Sequence, residues 1–267
     1  MKAVVNRIIP FSSVDGPGNR TAIFLQGCNI DCKYCHNPET RKLCVQCGTC
    51  VKQCLAGALS VGADGKVTFD PEKCVQCDTC IHVCPHDSSP RTCEMTPEEV
   101  YARVKKQIPF IRGISVSGGE CMLWPEFLTE LFRLAKQDGL GTLIDSNGMI
   151  PFEDYPELME VSDGVMLDIK AFEAAEHEKV TGFTKWYCTM RIIWQEPESF
   201  MRCGRSSYRI FMIPRRASGK WAIFWHLIWN TEISGSRSLP TGLWACGSNI
   251  PISRCRTRNT CLIWQIS

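Results

Sequence analysis

The chain has no apolar run long enough to cross a bilayer. A spanning helix needs ~20 consecutive apolar residues, and the longest run, Trp221 to Trp229, is interrupted by His226. No leader is expected either. Met1-Lys2-Ala3-Val4-Val5-Asn6-Arg7 has neither a long apolar core nor a cleavage site. Both absences predict a cytoplasmic protein with no membrane partner, and no nucleic-acid partner is expected either. Acidic residues are scarce in one part of the chain. Residues 186–267 hold three, against eleven Lys and Arg, whereas residues 1–185 hold twenty-five against nineteen. The net charge of +2 conceals that split. Hydrophobic content of 44% and charged content of 22% read as soluble and globular. A length of 267 residues suits one domain of moderate size with a small insert.

Cysteine is abundant, at eighteen residues. In a reducing compartment, clustered cysteines at fixed spacing point to metal rather than to disulfides. Eleven of the eighteen fall into three motifs. The first is Cys28, Cys32 and Cys35, within Gly27-Cys28-Asn29-Ile30-Asp31-Cys32-Lys33-Tyr34-Cys35-His36-Asn37-Pro38. A 4Fe-4S cluster takes one thiolate per iron. Three cysteines leave one iron open, and an open position is what a catalytic metal site keeps for its substrate. The spacing is that of radical S-adenosylmethionine (SAM) enzymes, in which SAM fills the open position. A structural zinc knuckle and an ordinary ferredoxin loop are the alternatives.

The other two motifs form an internal repeat. Cys44, Cys47, Cys50 and Cys54 are spaced like Cys74, Cys77, Cys80 and Cys84, and Cys-Val-Gln-Cys opens both. This is the bacterial two-cluster ferredoxin pattern, in which the fourth cysteine of each run serves the other cluster. One cluster would take Cys44, Cys47, Cys50 and Cys84, and the other Cys74, Cys77, Cys80 and Cys54. Two zinc ions are the alternative occupants. Between the runs, Gly62-Ala63-Asp64-Gly65 turns a hairpin from Ala58–Val61 to Lys66–Phe69. Iron–sulfur clusters are attacked by air, so an anaerobic setting is expected.

Elsewhere strands and helices alternate. Thr21–Gln26 is a β-rich run leading into the three-cysteine loop. Pro97–Ile111 is expected to be a helix, with Thr96 as N-cap and Glu99 completing a capping box. Strands are expected at Gly113–Ser117, Gly141–Asp145 and Gly164–Lys170, and helices at Pro125–Lys136 and Phe152–Val161. Such alternation means a parallel sheet with crossover helices.

Each strand ends in glycine or polar residues. Gly118 and Gly119 would let a ligand's ammonium approach backbone carbonyls, and Glu120 would add a carboxylate. Asp168 and Lys170 point to one face of their strand, either to bind a ligand or to pair with each other. Asp145 and Asn147 follow the same logic. Tyr34 and His36 are expected to line the site, and Cys93 and Cys121 to be ordinary thiols.

Residues 3–185 resemble the activating enzymes of glycyl-radical enzymes, the group containing the pyruvate formate-lyase activator. The resemblance is carried by Asp15-Gly16-Pro17-Gly18-Asn19-Arg20, Phe24-Leu25-Gln26-Gly27-Cys28, the other residues of the cysteine loop, Ser117-Gly118-Gly119-Glu120, Asp145-Ser146-Asn147-Gly148 and Asp168-Ile169-Lys170. The repeat resembles members that carry two auxiliary clusters. The resemblance implies a partial radical SAM (β/α) barrel with a small inserted ferredoxin domain of the bacterial two-cluster type. It also implies three 4Fe-4S clusters, with Cys28, Cys32 and Cys35 holding the catalytic one. SAM contacts would come from Tyr34, Cys35, His36, Gly118, Gly119, Glu120, Asp168, Ile169 and Lys170. The implied oxidoreductase cleaves SAM reductively, and its 5′-deoxyadenosyl radical takes a hydrogen from a glycine of a partner glycyl-radical enzyme. Flavodoxin or ferredoxin would supply the electron. A radical SAM enzyme acting on a small molecule and a polyferredoxin electron carrier are the other readings.

The chain divides into four segments. Residues 1–43 start the barrel, 44–92 are the insert, 93–185 continue the barrel, and 186–267 form an aberrant tail. The family has further β/α units and a late histidine near SAM where this tail stands. Trp186–Gln195 shows no usable helix or strand period. Back-translated and read two bases on, the codons from Trp186 permit Val-Leu-(His/Tyr), an alanine-bearing helix, and then Gly-Thr-Gly-Lys-Leu-Tyr-Glu-Val-Arg-Thr-Val. That is a helix, a glycine stop and a β-branched strand. The expectation is an irregular or frameshifted C-terminal part, with low activity for the literal chain.

Overall fold

A computed structural model describes residues 1–171, 174–183, 208–214 and 221–225. Its strands are β1 (Ala3–Ser12), β2 (Arg20–Leu25), β3 (Leu59–Val61), β4 (Val67–Phe69), β5 (Cys93–Met95), β6 (Gly113–Gly118), β7 (Gly141–Ser146), β8 (Gly164–Ile169), β9 (Tyr208–Pro214) and β10 (Trp221–Trp225). Its helices are α1 (Thr79–His82), α2 (Pro97–Lys105), α3 (Pro125–Gln137), α4 (Pro156–Val161) and α5 (Ala174–Thr181). Eight strands form one mixed sheet in the order β10-β9-β8-β7-β6-β2-β1-β5, and β3 and β4 form a separate hairpin.

The parallel heart of the sheet is β2-β6-β7-β8. Its strands are buried along most of their length, and β6, β7 and β8 carry polar residues toward their carboxyl ends. Ile23, Leu25, Ile114, Val116, Ile144, Val165 and Leu167 are all buried. Helix α3 supplies much of the cover. Pro125 begins it at a position where the missing N–H costs nothing, and Phe127, Leu128, Leu131, Phe132 and Ala135 recur on its inner face, fully buried. It packs between α2 and α4.

At the opposite end of the strands from the cysteine loop, Arg20 ties three strands together. Its guanidinium donates to the carbonyls of Pro17, Ile114 and Gly141. Burial pulls the group down to about 10, against the pull of Asp163, so it stays a cation at neutral pH.

Several elements depart from the expectations. Helix α2 carries the full capping box between Thr96 and Glu99. It ends at Lys105, with a 3-10 turn at Ile108–Phe110. Pro109 explains this, since it disfavours helical backbone at Ile108. Pro156 likewise divides Phe152–Val161 into a 3-10 turn and α4. Strands β1 and β5, which pair antiparallel beside β2, lie outside the elements expected from the sequence. Within residues 186–267, β9 pairs antiparallel with β8 and β10 pairs antiparallel with β9. Tyr208–Pro214 and Trp221–Trp225 are rich in aromatic and β-branched residues, which suit a pleated surface. The rest of the expected aberrant tail lies outside the described residues.

The segment 44–92 sits between β2 and β5. Its two stems meet where Lys42 bridges Ser88 and the Ser88 hydroxyl donates to the Lys42 carbonyl. It has its own small core, with Cys50, Leu59 and Cys80 buried and Val51, Val67, Phe69, Ile81 and Val83 packed around them.

Candidate functional site

Strand β2 delivers the cysteine loop. Beyond Leu25, the fully buried Gln26 stops the chain from wandering. Its side-chain amide donates to the carbonyls of Glu39 and Lys42, both at 2.7 Å, and its oxygen accepts from Asn6. Gly27 and Cys28 donate their backbone N–H groups to Thr40 and Arg41. The other flank of the loop is held by the end of α5. Asp31 and Lys33 donate their N–H groups to the carbonyls of Thr181 and Val180, at 2.9 Å each. The loop therefore lies between two backbone rails, and Cys32 is buried within it.

The carboxyl ends of β6, β7 and β8 face this loop across a cavity of about 480 Å³. That volume admits a nucleoside-sized ligand. Cys28, Cys32, Cys35, Tyr34 and His36 line it from the loop. Ser117, Gly118 and Gly119 line it from β6, Asp145, Ser146 and Asn147 from β7, and Asp168 and Lys170 from β8. The turn residue Asp15 and Arg41 also reach the wall. Functional residues of a β/α barrel belong at this end.

The glycines have a reason beyond ligand approach. A Cβ on Gly118 would stand 2.1 Å from the Leu25 carbonyl oxygen, and one on Gly119 would stand 2.1 Å from that of Gly27. The end of β6 is thus pressed against the start of the cysteine loop, and Gly119 and Glu120 donate their N–H groups to Leu25 and Gly27.

Glu120 and Ile169 lie apart from the cavity lining. Ile169 turns into the core. The Glu120 side chain is 1% exposed and accepts from the Ser146 hydroxyl and the backbone N–H groups of Asn147 and Met122. Burial pushes its carboxyl up to about 7, although those hydrogen bonds pull the other way. Glu120 therefore braces the β6 and β7 ends against each other. The brace positions Asn147, whose side-chain amide reaches Asn29 at 2.9 Å and the Cys28 sulfur at 3.8 Å.

Asp168 and Lys170 pair at 3.0 Å, and both remain on the cavity wall. Burial lowers the Lys170 ammonium, but Asp168 and the Cys32 sulfur outweigh it and hold it above its usual range. The Tyr34 hydroxyl donates to the Lys170 carbonyl at 2.5 Å, which pins the loop to β8, and burial pushes the phenol up to about 12.

The donor set suits a metal cluster. Burial pushes the Cys28 thiol up to about 12 and raises Cys32 as well. Crowded, buried thiols of this kind release their protons readily only to a metal. Among the described residues no three metal-binding side chains converge closely enough for a single ion. The cysteines of the repeat likewise surround small cavities. Cys44, Cys47, Cys50 and Cys84 line one, and Cys54, Cys74, Cys77 and Cys80 line another. Each cavity thus takes three cysteines from one run and the fourth from the other. Cys93 and Cys121 are free thiols, and Cys121 is buried with its S–H directed to the Asp145 carbonyl.

Sequence reasoning misses Arg41 and Asp15 as wall residues, and it misses the clamp from α5. Arg41 carries no motif of its own. It reaches the wall because its neighbours lie alongside the loop, a long-range pairing that no spacing encodes.

The profile of the Radical SAM superfamily matches residues 22–195. The chain is 33% identical over 197 residues to the (2S)-3-sulfopropanediol sulfolyase activating enzyme of Bilophila wadsworthia, covering 67% of this chain and 65% of the relative. It is 30% identical over 210 residues to the choline trimethylamine-lyase activating enzyme of Oleidesulfovibrio alaskensis, covering 72% and 68%. It is 32% identical over 188 residues to the pyruvate formate-lyase-activating enzyme of Streptococcus mutans, covering 67% and 55%. The chain spans 47% of another relative, from Haemophilus influenzae, so it matches about half to two thirds of their lengths. A crystal structure of QueE from Escherichia coli aligns with 56% of this chain and 54% of its own at a TM-score of 0.34 and 17% identity, a likeness too slight to carry any inference.

Proposed function

The chain belongs to the radical SAM superfamily, and from that premise we propose that it is an activase, which installs a glycyl radical on a partner glycyl-radical enzyme. One observation carries the reading. Three cysteines that cannot complete a cubane share a single cavity with the carboxyl ends of β6, β7 and β8. The relatives from Bilophila, Oleidesulfovibrio and Streptococcus are all activating enzymes, and their names point to different partner enzymes.

In this reading Cys28, Cys32 and Cys35 would hold the catalytic cluster and leave one position on it open to SAM. When bound, cluster and SAM supply one-electron cleavage of a carbon–sulfur bond and with it the power to take a hydrogen atom from a glycine. The chain's residues position and exclude. Lys170, held as a cation beside Asp168, offers a fixed positive charge on the cavity wall. Tyr34 locks the loop to β8, and Asn147, fixed by Glu120, steadies the Cys28 sulfur. Ser117, Asp145 and Asp15 provide polar wall toward which a substrate backbone can turn. The packed strands behind them keep water from the cavity floor.

The Cys44 and Cys74 motifs would carry two auxiliary clusters fed by flavodoxin or ferredoxin. A cytoplasmic, anaerobic setting follows from that chemistry. Residues 186–267 are proposed to result from a frameshift near Lys185. Re-sequencing across that codon decides this, and an intact frame there refutes it. The activity has a direct test. Anaerobic reduced protein is mixed with SAM and a candidate glycyl-radical enzyme. The expected result is 5′-deoxyadenosine together with a glycyl signal in electron paramagnetic resonance. No deoxyadenosine would leave an electron carrier, and deoxyadenosine without the glycyl signal from any candidate would favour a small-molecule substrate.

A further inference from the structure

The two halves of the cysteine repeat are alike where they hold sulfur and unlike at the position after the second cysteine. In each half the residue before the second cysteine, Gln46 or Gln76, has a left-handed backbone, with φ of 62° and 55°. In each half a threonine hydroxyl lies against the sulfur of that cysteine, Thr49 at 3.4 Å from Cys47 and Thr79 at 3.3 Å from Cys77. The residue between cysteine and threonine is left-handed in both, with φ of 73° at Gly48 and 58° at Asp78. Glycine adopts that conformation freely, whereas aspartate does so at some cost. The second half therefore keeps a strained aspartate where the first keeps a glycine.

What faces these two residues differs in the same way. Gly48 looks onto Val61, and a Cβ added to the glycine would lie 3.9 Å from the valine methyl group. Asp78 holds Arg91, with Nη2 to Oδ1 at 2.6 Å. Arg91 follows Asp78 at the same offset along the chain as Val61 follows Gly48. An apolar contact in one half is thus an ion pair in the other. The pair is oriented, because the Asp78 side chain is 52% exposed and that of Arg91 only 20%. The guanidinium lines the cavity of Cys54, Cys74, Cys77 and Cys80, with Asp78 beside it on the same wall. The cavity of Cys44, Cys47, Cys50 and Cys84 has His86 but no arginine, lysine, aspartate or glutamate on its wall.

Resting on the two-cluster reading of the insert, we infer that Arg91 sets the two auxiliary sites at different reduction potentials. It raises that of the Cys54/Cys74/Cys77/Cys80 site above its repeat partner. Cluster potentials rise with nearby positive charge, and an arginine, more buried than the aspartate it pairs with, brings that charge to one site alone. The other site lies against the barrel. Cys44 and Cys84 stand on the two stems joined at the Lys42–Ser88 bridge, and Leu43 packs toward Gly27, next to Cys28. The outer site is therefore where one electron, given up by a reduced one-electron carrier, comes to rest before moving inward. Arg91 is a positioning residue for charge and touches neither SAM nor a substrate glycine.

The test is a potentiometric titration of the full, anaerobically reconstituted chain, followed by electron paramagnetic resonance. Wild type should hold about twelve irons per chain, as three cubanes require. Arg91→Gln should shift the reduction equilibrium of one auxiliary cluster at least tenfold toward the oxidised form, about 59 mV for one electron, with the other two clusters in place. Arg91→Lys, which restores the charge, should recover most of that shift, and it decides the matter if the glutamine variant loses its outer cluster. Unchanged auxiliary potentials in both variants, or equal movement of both clusters, would overturn the inference. A wild-type content of about four irons would instead defeat the two-cluster reading beneath it.

Discussion

Replacing Glu120 with glutamine keeps the shape of the brace and removes its titration. In the folded chain burial holds this carboxyl up to about 7, whereas an unfolded glutamate titrates near ~4.3. A gap of that width corresponds to roughly 4 kcal/mol. The side chain is 1% exposed, so solvent screens little of it. The sign follows from which state keeps the proton. Between the two values the folded chain is protonated and the unfolded chain is not. The stabilisation from this group is complete below about pH 4 and is lost as pH rises to about 7. Over the span from about pH 5 to about pH 8, wild type should therefore lose roughly 2–3 kcal/mol relative to Glu120→Gln. Urea midpoints read by far-ultraviolet circular dichroism, taken anaerobically on both proteins at each pH, measure the difference. Parallel curves would show that the carboxyl does not titrate in this interval, and the buried brace would be refuted.

Three further outcomes are expected. Cys28→Ala should lose about four irons per chain and form no 5′-deoxyadenosine, while the absorbance of the remaining clusters persists. Phe132→Ala, at a fully buried position on α3, should cost about 3–5 kcal/mol in denaturant unfolding. A loss under about 1 kcal/mol would mean that α3 does not pack into the core through this ring. Gly119→Ala would place a methyl 2.1 Å from the Gly27 oxygen, so the β6 end and the cysteine loop must part. A loss of about 2 kcal/mol or more, with weaker iron loading, is expected in the same assays.

The cavity's chemistry is legible wherever a motif is local. Three cysteines in eight residues, a glycine pair after a strand, and alternate charges at the end of β8 announce themselves because each needs only its own neighbourhood. Their partners are not legible. That Glu120 braces β7 depends on β6 and β7 lying side by side, which places Ser146 and Asn147 over its carboxylate. The clamp from α5 joins residues 31 and 33 to 181 and 180, and a helix as short as Ala174–Thr181 has too weak a periodicity to be singled out. Strand β1 escapes the pattern because Ala3–Ser12 is only partly buried and contains Arg7 and Pro10, which blur its alternation. The end of α2 is hidden because helical spacing continues through Ile108 while the ring of Pro109 disfavours the helix there.

The rung between Lys42 and Ser88 has an evolutionary consequence. Two chain ends already side by side can be rejoined by a short turn, at little entropic cost. Every acceptor of Gln26 lies at or before Lys42, so cutting out the loop from Leu43 to Asp87 would spare the scaffold that shapes the cysteine loop. A module fastened in this way can be acquired or discarded in a single recombination event without redesign of the host.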